Sequence, residues 1–349
     1  MKIYFDVSHY DSNYRQHLFP LLKPFVKGDS FTDVKRQSIY GVSETDFQVM
    51  DTIEDSDIAI LTMSWNFYKS EGKMQLAKEF VNLAKDYNVS VWSVNLGDLG
   101  VKLPKLENVI VFRSNGFKNN LPNYHKGIPV FIEDPIKERL SSIYNDHISY
   151  SSVPIVGFCG YATGNPFYVL RLYLAQIVKM LKQTISRNVE YSPLCVAPYF
   201  RHRCLKEVDK FRAVKTNFIL RSKYRAGANN MIELERTTKE YFENMAKSQY
   251  VLCVRGAGNF SVRFFETLAM GRIPVYVDTN GFIPLDNEIN WKDHIVWVHE
   301  HEIHKIGQKI MTFHNRFNSA SFNELLKSNR KLWESKMTLG GFFKSQSLK

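Results

Sequence analysis

The stretch RGAGNFSVRFFETLAMGRIPVYV, residues 255–277, decides how the chain folds. It follows the apolar run YVLCV (250–254) and ends in a second apolar run, IPVYV (273–277). Short runs rich in β-branched and aromatic residues, closed by glycine or polar positions, read as buried strands. Between them, SVRFFETLAM spaces its apolar residues as a helix does and stops at Gly271, a usual helix end. Strand, loop, helix and strand in that order make a parallel-sheet unit with helices on its faces.

The loop RGAGNF then lies beyond the carboxyl end of a strand, where open parallel sheets bind their ligands. Gly256 and Gly258 let backbone N–H groups come close to a phosphate. Ser261 stands where an N-cap belongs, and the free amides of a first helical turn favour an anion. Arg255 and Arg263 carry guanidinium forks that match phosphate oxygens in pairs. Glu266 lies one turn beyond Arg263, placed to accept hydrogen bonds from ribose hydroxyls. Taken singly, Arg263 and Glu266 are a surface ion pair of small worth, and two glycines in a loop are a weak signal. Taken together, directly after a strand and directly before a helix, they describe a nucleoside-diphosphate site.

The same rhythm extends on both sides. Upstream, KIYFDV (2–7), DIAILTM (57–63), VSVWSVNL (89–96) and NVIVFRS (108–114) read as strands, with a helix over EGKMQLAKEFVNLAKDY. The polar stretch SSIYNDHISYSSVP (141–154) reads as a junction. After it come the strand IVGFCG (155–160), the helix PFYVLRLYLAQIVKMLKQTI, a short strand NFIL, the helix RTTKEYFENMAKS and a last strand HIVWV. The expected architecture is two Rossmann-like domains facing across a cleft: residues 1–150, residues 151–325, and a C-terminal helix and basic tail over 326–349.

At 349 residues the chain is long enough for two cores. With 44% hydrophobic and 23% charged residues it has the composition of a folded protein. A net charge of +11 points to an anionic partner without choosing among phosphorylated substrate, acidic glycan, membrane and nucleic acid. Four scattered cysteines show no metal-type spacing, and Cys159 and Cys253 sit in apolar runs as buried thiols do. The N-terminus enters a strand with no signal-peptide pattern, and no apolar stretch reaches transmembrane length, so a cytoplasmic location is expected.

Residues 248–303 also resemble the exostosin-like glycosyltransferases. The resemblance rests on Arg255-Gly256, Ser261, Arg263 and Glu266, then Gly271-Arg272-Ile273-Pro274, the turn Ile283-Pro284-Leu285, and Trp291. Leu285 departs from the aromatic frequent at its position. More weakly, VGFCG ending at Gly160, with Arg171 on the next helix, looks like the family's first C-terminal strand and its downstream arginine. The resemblance implies a GT-B fold and inverting transfer from a nucleotide-diphosphate sugar, with no cofactor and no essential metal. Arg255, Ser261 and Arg263 would hold the donor's phosphates and Glu266 its ribose. A UDP-sugar is the foremost donor, and an oligosaccharide or lipid-linked glycan of a surface polysaccharide the acceptor. The alternatives are a GDP-sugar, fucosyltransferase-like enzyme and a non-catalytic protein that binds anionic glycan or nucleic acid.

Inverting transfer needs a base to take the acceptor's proton and cations to receive the departing diphosphate. The base is expected from the first domain, where the loop DVSHYDS offers His9 and the loop NLGDLG offers Asp98. Trp65 and Arg225 read as packing or surface residues rather than acceptor contacts. The cluster VHEHEIH lacks the second histidine spacing of a zinc helix, so no metal site is expected there. The basic segment YFRHRCLK (199–206) reads as a solvated face, since no nucleic-acid module accompanies it. The tail, with Trp333, Phe342 and Phe343 among lysines, either crosses back onto the first domain or touches anionic lipid.

Overall fold

A computed structural model describes residues 1–27, 31–98, 100–140, 148–186, 189–190 and 192–347. Half of the expected junction, residues 141–147, lies outside the described residues.

The first unit contains β1 (Lys2–Tyr4), α1 (Asp33–Tyr40), β2 (Gln48–Val49), β3 (Ile58–Ile60), α2 (Trp65–Ser70), α3 (Met74–Asp86), β4 (Ser90–Val94), β5 (Val109–Arg113) and β6 (His125–Gly127). Its six strands lie in the order β2-β1-β3-β4-β5-β6, and every pairing is parallel. The amphipathic pattern of α3 buries Ala77, Phe80, Val81 and Ala84 and leaves its lysines and Glu79 in water. Trp65 is fully buried, its indole N–H donating to Ser93 Oγ at 2.9 Å, so it is a packing residue.

The second unit contains β7 (Ile155–Tyr161), α4 (Pro166–Ser186), α5 (Ala197–Asp209), β8 (Lys215–Arg221), α6 (Met231–Ala246), β9 (Tyr250–Cys253), α7 (Val262–Ala269), β10 (Ile273–Asp278), α8 (Trp291–His294), β11 (Val296–His299) and α9 (Ile306–His314). Its five parallel strands run β11-β10-β9-β7-β8. Two parallel α/β units therefore face each other, as the GT-B expectation described.

Each sheet has one point where neighbouring strands send their connections in opposite directions. In the first it lies between β1 and β3, in the second between β7 and β9. Loops diverge there and leave a crevice at the carboxyl ends. The residues that open those crevices are 5–10 and 61–65 in the first unit, and 162–165 and 254–261 in the second.

The chain closes with α10 (Ser319–Leu332), a π-helical turn (Trp333–Met337) and α11 (Leu339–Ser347). This end returns to the first unit. Phe342 and Phe343 are buried against Phe19, Trp92, Phe112 and Phe131. Trp333 is buried as well, stacked under the Arg330 guanidinium. The tail's aromatics thus belong to the protein core and are not available to lipid, because folding back removes more apolar surface from water than an exposed tail can. No described helix is long and apolar enough to cross a membrane.

Among the described residues, burial pushes the pKa of His9, His17, His125 and His314 down, His125 to about 3 beside Arg113. Unfolding returns each imidazole to water, where it takes a proton below about pH 6.5. The unfolded chain then binds more protons than the folded one, so stability falls as pH drops through that value. Urea midpoints measured between pH 7 and pH 5 are expected to decline. His125→Asn should flatten that decline by about 1–2 kcal/mol at pH 5, and an unchanged slope would count against a buried neutral imidazole.

Candidate active site

Sequence places the candidate loop between β9 and α7, and the fold sets it at the second sheet's crevice, facing the first unit. Asn259 fastens it there. Its backbone N–H donates to Asn115 Oδ1 at 2.6 Å, and its side-chain amide donates to the carbonyls of Gly116 at 2.9 Å and Thr279 at 3.0 Å. Asn115 in turn donates to the Asp98 carbonyl at 2.7 Å. The loops after β4 and β5 therefore meet the loop before α7 along one seam.

Within that seam Arg255 is 5% exposed. Its guanidinium lies over the Phe117 ring, 5.3 Å from the centroid, and Nη2 donates to the Ala257 carbonyl at 3.3 Å. Its Nε is buried without a partner. Burial pushes the pKa of Arg255 down, opposed by Cys195, Glu300 and Asp98.

Arg201, on α5, lies under the same loop. It donates from Nη1 to the Tyr161 carbonyl at 3.3 Å and from Nη2 to the Arg255 carbonyl at 3.1 Å. Its Nε is likewise buried and unpartnered. Burial, with Arg263 adding to it, pushes its pKa down to about 10. A guanidinium whose charged form is disfavoured by its surroundings is one that an anion would stabilise. Two such groups beside a glycine-containing loop make a cation-rich stretch of the seam whose two Nε–H groups lack acceptors, with Glu300 and Asp98 the carboxylates that act on Arg255.

Segment YFRHRCLK is therefore not wholly a solvated face. Helical spacing carries the signal: Arg201 shares the face of Cys204, Leu205 and Val208, all buried. An arginine on the apolar stripe of a helix that starts at a crevice is a residue the fold turns inward.

The other sequence-derived candidates take varied places. Arg263 spends its donors within the protein: Nη2 on the Cys159 carbonyl at 2.7 Å, Nη1 on the Leu252 carbonyl at 3.4 Å and Nε on Tyr241 Oη at 3.3 Å. Its guanidinium also stacks on Phe158, 4.2 Å from the ring centre. It ties β7 and β9 together beneath the crevice. Gly160 leaves room for that arrangement, since a Cβ there would stand 2.9 Å from Arg263 Nη2. Glu266 accepts from Tyr241 Oη at 2.5 Å, and burial raises its pKa against the pull of Tyr241 and Arg263. Tyr241, on α6, thus joins Arg263 and Glu266 in one half-buried set, a link that a separation of 22 positions hides from sequence reading.

Ser261 takes the N-cap position of α7 with extended dihedrals (φ −134°, ψ 114°), but its hydroxyl makes no capping bond. The first-turn amides of α7 thus have no side-chain cap. Gly256 donates its N–H to the Phe260 carbonyl at 3.0 Å and closes the loop on itself. Gly258 faces the other unit: a Cβ there would stand 2.6 Å from the Phe260 ring and 2.8 Å from Asp98 Oδ1. Gly258→Val is therefore expected to cost about 1–3 kcal/mol through overpacking, read as a lowered unfolding midpoint. Arg171 is exposed on α4.

Of the two candidate bases, Asp98 stands at the seam and acts on Arg255. His9 lies at the first sheet's crevice, 6% exposed. Its Nδ1 is 2.8 Å from Tyr68 Oη, its Nε2 3.7 Å from Asp6 Oδ2, and Phe80 packs on the ring. Burial keeps it neutral. In the cluster VHEHEIH, His299 pairs with Asp278 at 3.1 Å and stacks on His301. Among the described residues no group of histidine, cysteine or carboxylate side chains is arranged to hold a metal. An open depression lined by Met1, Lys2, Gln48 and Asp57 lies at the amino ends of β1 and β2, opposite the loops of the seam.

No family model matches the chain. An Exostosin-1 homolog of Caenorhabditis elegans is 30% identical over 95 residues, which are 27% of this chain and 24% of that protein. The chain thus spans about a quarter of the length of the curated relative it matches. Among solved structures, TarM is similar with a TM-score of 0.37 and 14% identity, over 84% of this chain and 54% of that one. A mutant S. aureus TarM in complex with fondaparinux, alpha-GlcNAc-glycerol and UDP also gives a TM-score of 0.37, at 12% identity, covering 84% of this chain and 55% of that one. The description of the fold rests on the two sheets of this chain themselves. Over part of its length, the chain resembles the exostosin proteins.

Proposed function

We propose that this protein is an inverting glycosyltransferase that moves a sugar from a nucleotide-diphosphate donor, UDP-sugar foremost, to a glycan acceptor of a surface polysaccharide. One observation carries the reading. Arg201 and Arg255 are brought together at the second sheet's crevice, each with a buried, unpartnered Nε and a pKa pushed down by burial. A diphosphate supplies the missing acceptors and adds negative charge, and the partial similarity to an exostosin homolog supports the same chemistry.

In this reading the phosphates rest against Arg255, Arg201 and the uncapped first turn of α7. Arg263 and Tyr241 hold the floor, and Glu266 faces the ribose side. Asp98 takes the proton of the acceptor hydroxyl as its oxygen attacks the anomeric carbon. The bond from that carbon to the diphosphate oxygen breaks, and the guanidinium groups receive the charge. His9, locked to Tyr68 and neutral, shapes the opposite crevice where the acceptor enters. Transfer proceeds without a resident metal or cofactor.

Incubation with a panel of nucleotide sugars, followed by nucleotide release, tests the proposal. Release from one UDP-sugar supports it; release from a GDP-sugar alone moves the donor to the fucosyltransferase-like alternative. No release together with steeply salt-dependent retention on heparin or DNA would replace it by a binding protein. Asp98→Asn is expected to lower kcat by about 100- to 10,000-fold while leaving nucleotide affinity unchanged. Normal turnover in that variant would remove Asp98 from the role.

A further inference from the structure

Helix α4 is unlike the rest of the molecule. It is 21 residues long, and Phe167, Leu170, Leu174, Ile177, Val178 and Leu181 on it are 41–83% exposed. At 100° per residue these six fall within about a 100° arc, a continuous apolar stripe. The inward side is thin. Val169 is buried, and Tyr173 meets Tyr199 of α5 with ring centres 6.4 Å apart. Asn165 Oδ1 accepts from the N–H groups of Phe167 and Tyr168, so the helix start is well capped.

A stripe this apolar on the outside of a folded chain marks a docking face. The charges say what docks. Arg171 and Lys182 follow one edge of the stripe, within about 40° of it, and Lys179 lies further round; all three are exposed, and no aspartate or glutamate occurs anywhere in the helix. A second copy of α4 would bring no carboxylate to these cations. An anionic surface with an apolar interior satisfies both features at once: the side chains of the stripe enter the acyl boundary, while the basic edge meets phosphate headgroups. The net charge of +11 acts in the same direction.

We infer that α4 lies in the plane of an anionic phospholipid bilayer and holds the protein at its surface. Three charges in a helix not apolar enough to cross a membrane keep it in the interface. This inference is independent of the transfer chemistry.

Co-sedimentation of the full chain with vesicles tests it. Binding is expected to phosphatidylcholine vesicles in which one lipid in three is phosphatidylglycerol, and not to phosphatidylcholine alone. Leu174→Gln/Leu181→Gln should abolish that binding with an unchanged unfolding midpoint, since both positions are exposed. Arg171→Gln/Lys182→Gln, which leaves the stripe intact, should weaken it by about thirtyfold, at roughly fivefold per cation near the surface. Absence of vesicle binding, or equal binding to neutral vesicles, would overturn the inference. So would a dimer in solution that Leu174→Gln/Leu181→Gln dissociates, because a second copy would then cover the stripe.

Discussion

Arg255→Ala is expected to lower affinity for UDP by about a hundredfold or more, because hydrogen bonds to charged groups contribute about 1.5–3 kcal/mol each and this side chain offers two or more to a diphosphate. Calorimetric titration reads the loss directly. The nucleotide-free protein should lose little stability, since the bond to Ala257 and the contact with Phe117 go but the desolvation cost of a guanidinium that is 5% exposed, with Nε unpartnered, is relieved as well. That pairing separates a ligand site from a structural arginine, whose removal lowers stability and affinity together. Arg201→Ala should lose nucleotide affinity as well, yet also stability, because its bonds to the Tyr161 and Arg255 carbonyls go with it. Undiminished UDP binding in Arg255→Ala would remove the phosphate site from the seam.

Phe343→Ala is the second large effect. The ring is fully buried in a cluster with Phe19, Trp92, Phe112 and Phe131, on a helix that begins 40 residues beyond the second sheet's last strand. Deleting a buried phenyl group costs about 3–5 kcal/mol, the transfer term and the cavity adding. Urea unfolding followed by tryptophan fluorescence should show it, Trp92 being in the same cluster. A loss below about 1 kcal/mol would mean that the last helix does not close the first unit's core.

The sequence was most legible where one period dominates. β9, α7 and β10 fall where apolar run, helical spacing and apolar run demanded, and their parallel pairing follows from the helix between. The strand KIYFDV proved shorter, Lys2–Tyr4, because Asp6 turns the chain at once by accepting from the Ser8 N–H. Trp65 and Arg225 occupy a core and a surface position, as their contexts indicated. Less legible was anything that depends on which donors meet which acceptors. Arg263 has the sequence setting of a phosphate ligand, but its guanidinium reaches the Cys159 and Leu252 carbonyls, and Glu266 meets Tyr241. Spacing along one chain cannot show that a tyrosine from another helix arrives between them.

By itself, the sequence determined two parallel α/β units, the loop Arg255–Phe260 at a strand's carboxyl end, and the helix that follows it, because backbone periodicity and burial are local consequences of residue order. Tertiary structure alone decided that Arg201 joins Arg255, that Asn259 seals the seam to Asn115, and that Phe342 and Phe343 return to the first sheet. Those contacts join residues far apart in the chain. Their partners are chosen by which crevice each loop lines and which apolar surface lies nearest, and packing settles both only when the two units close on each other.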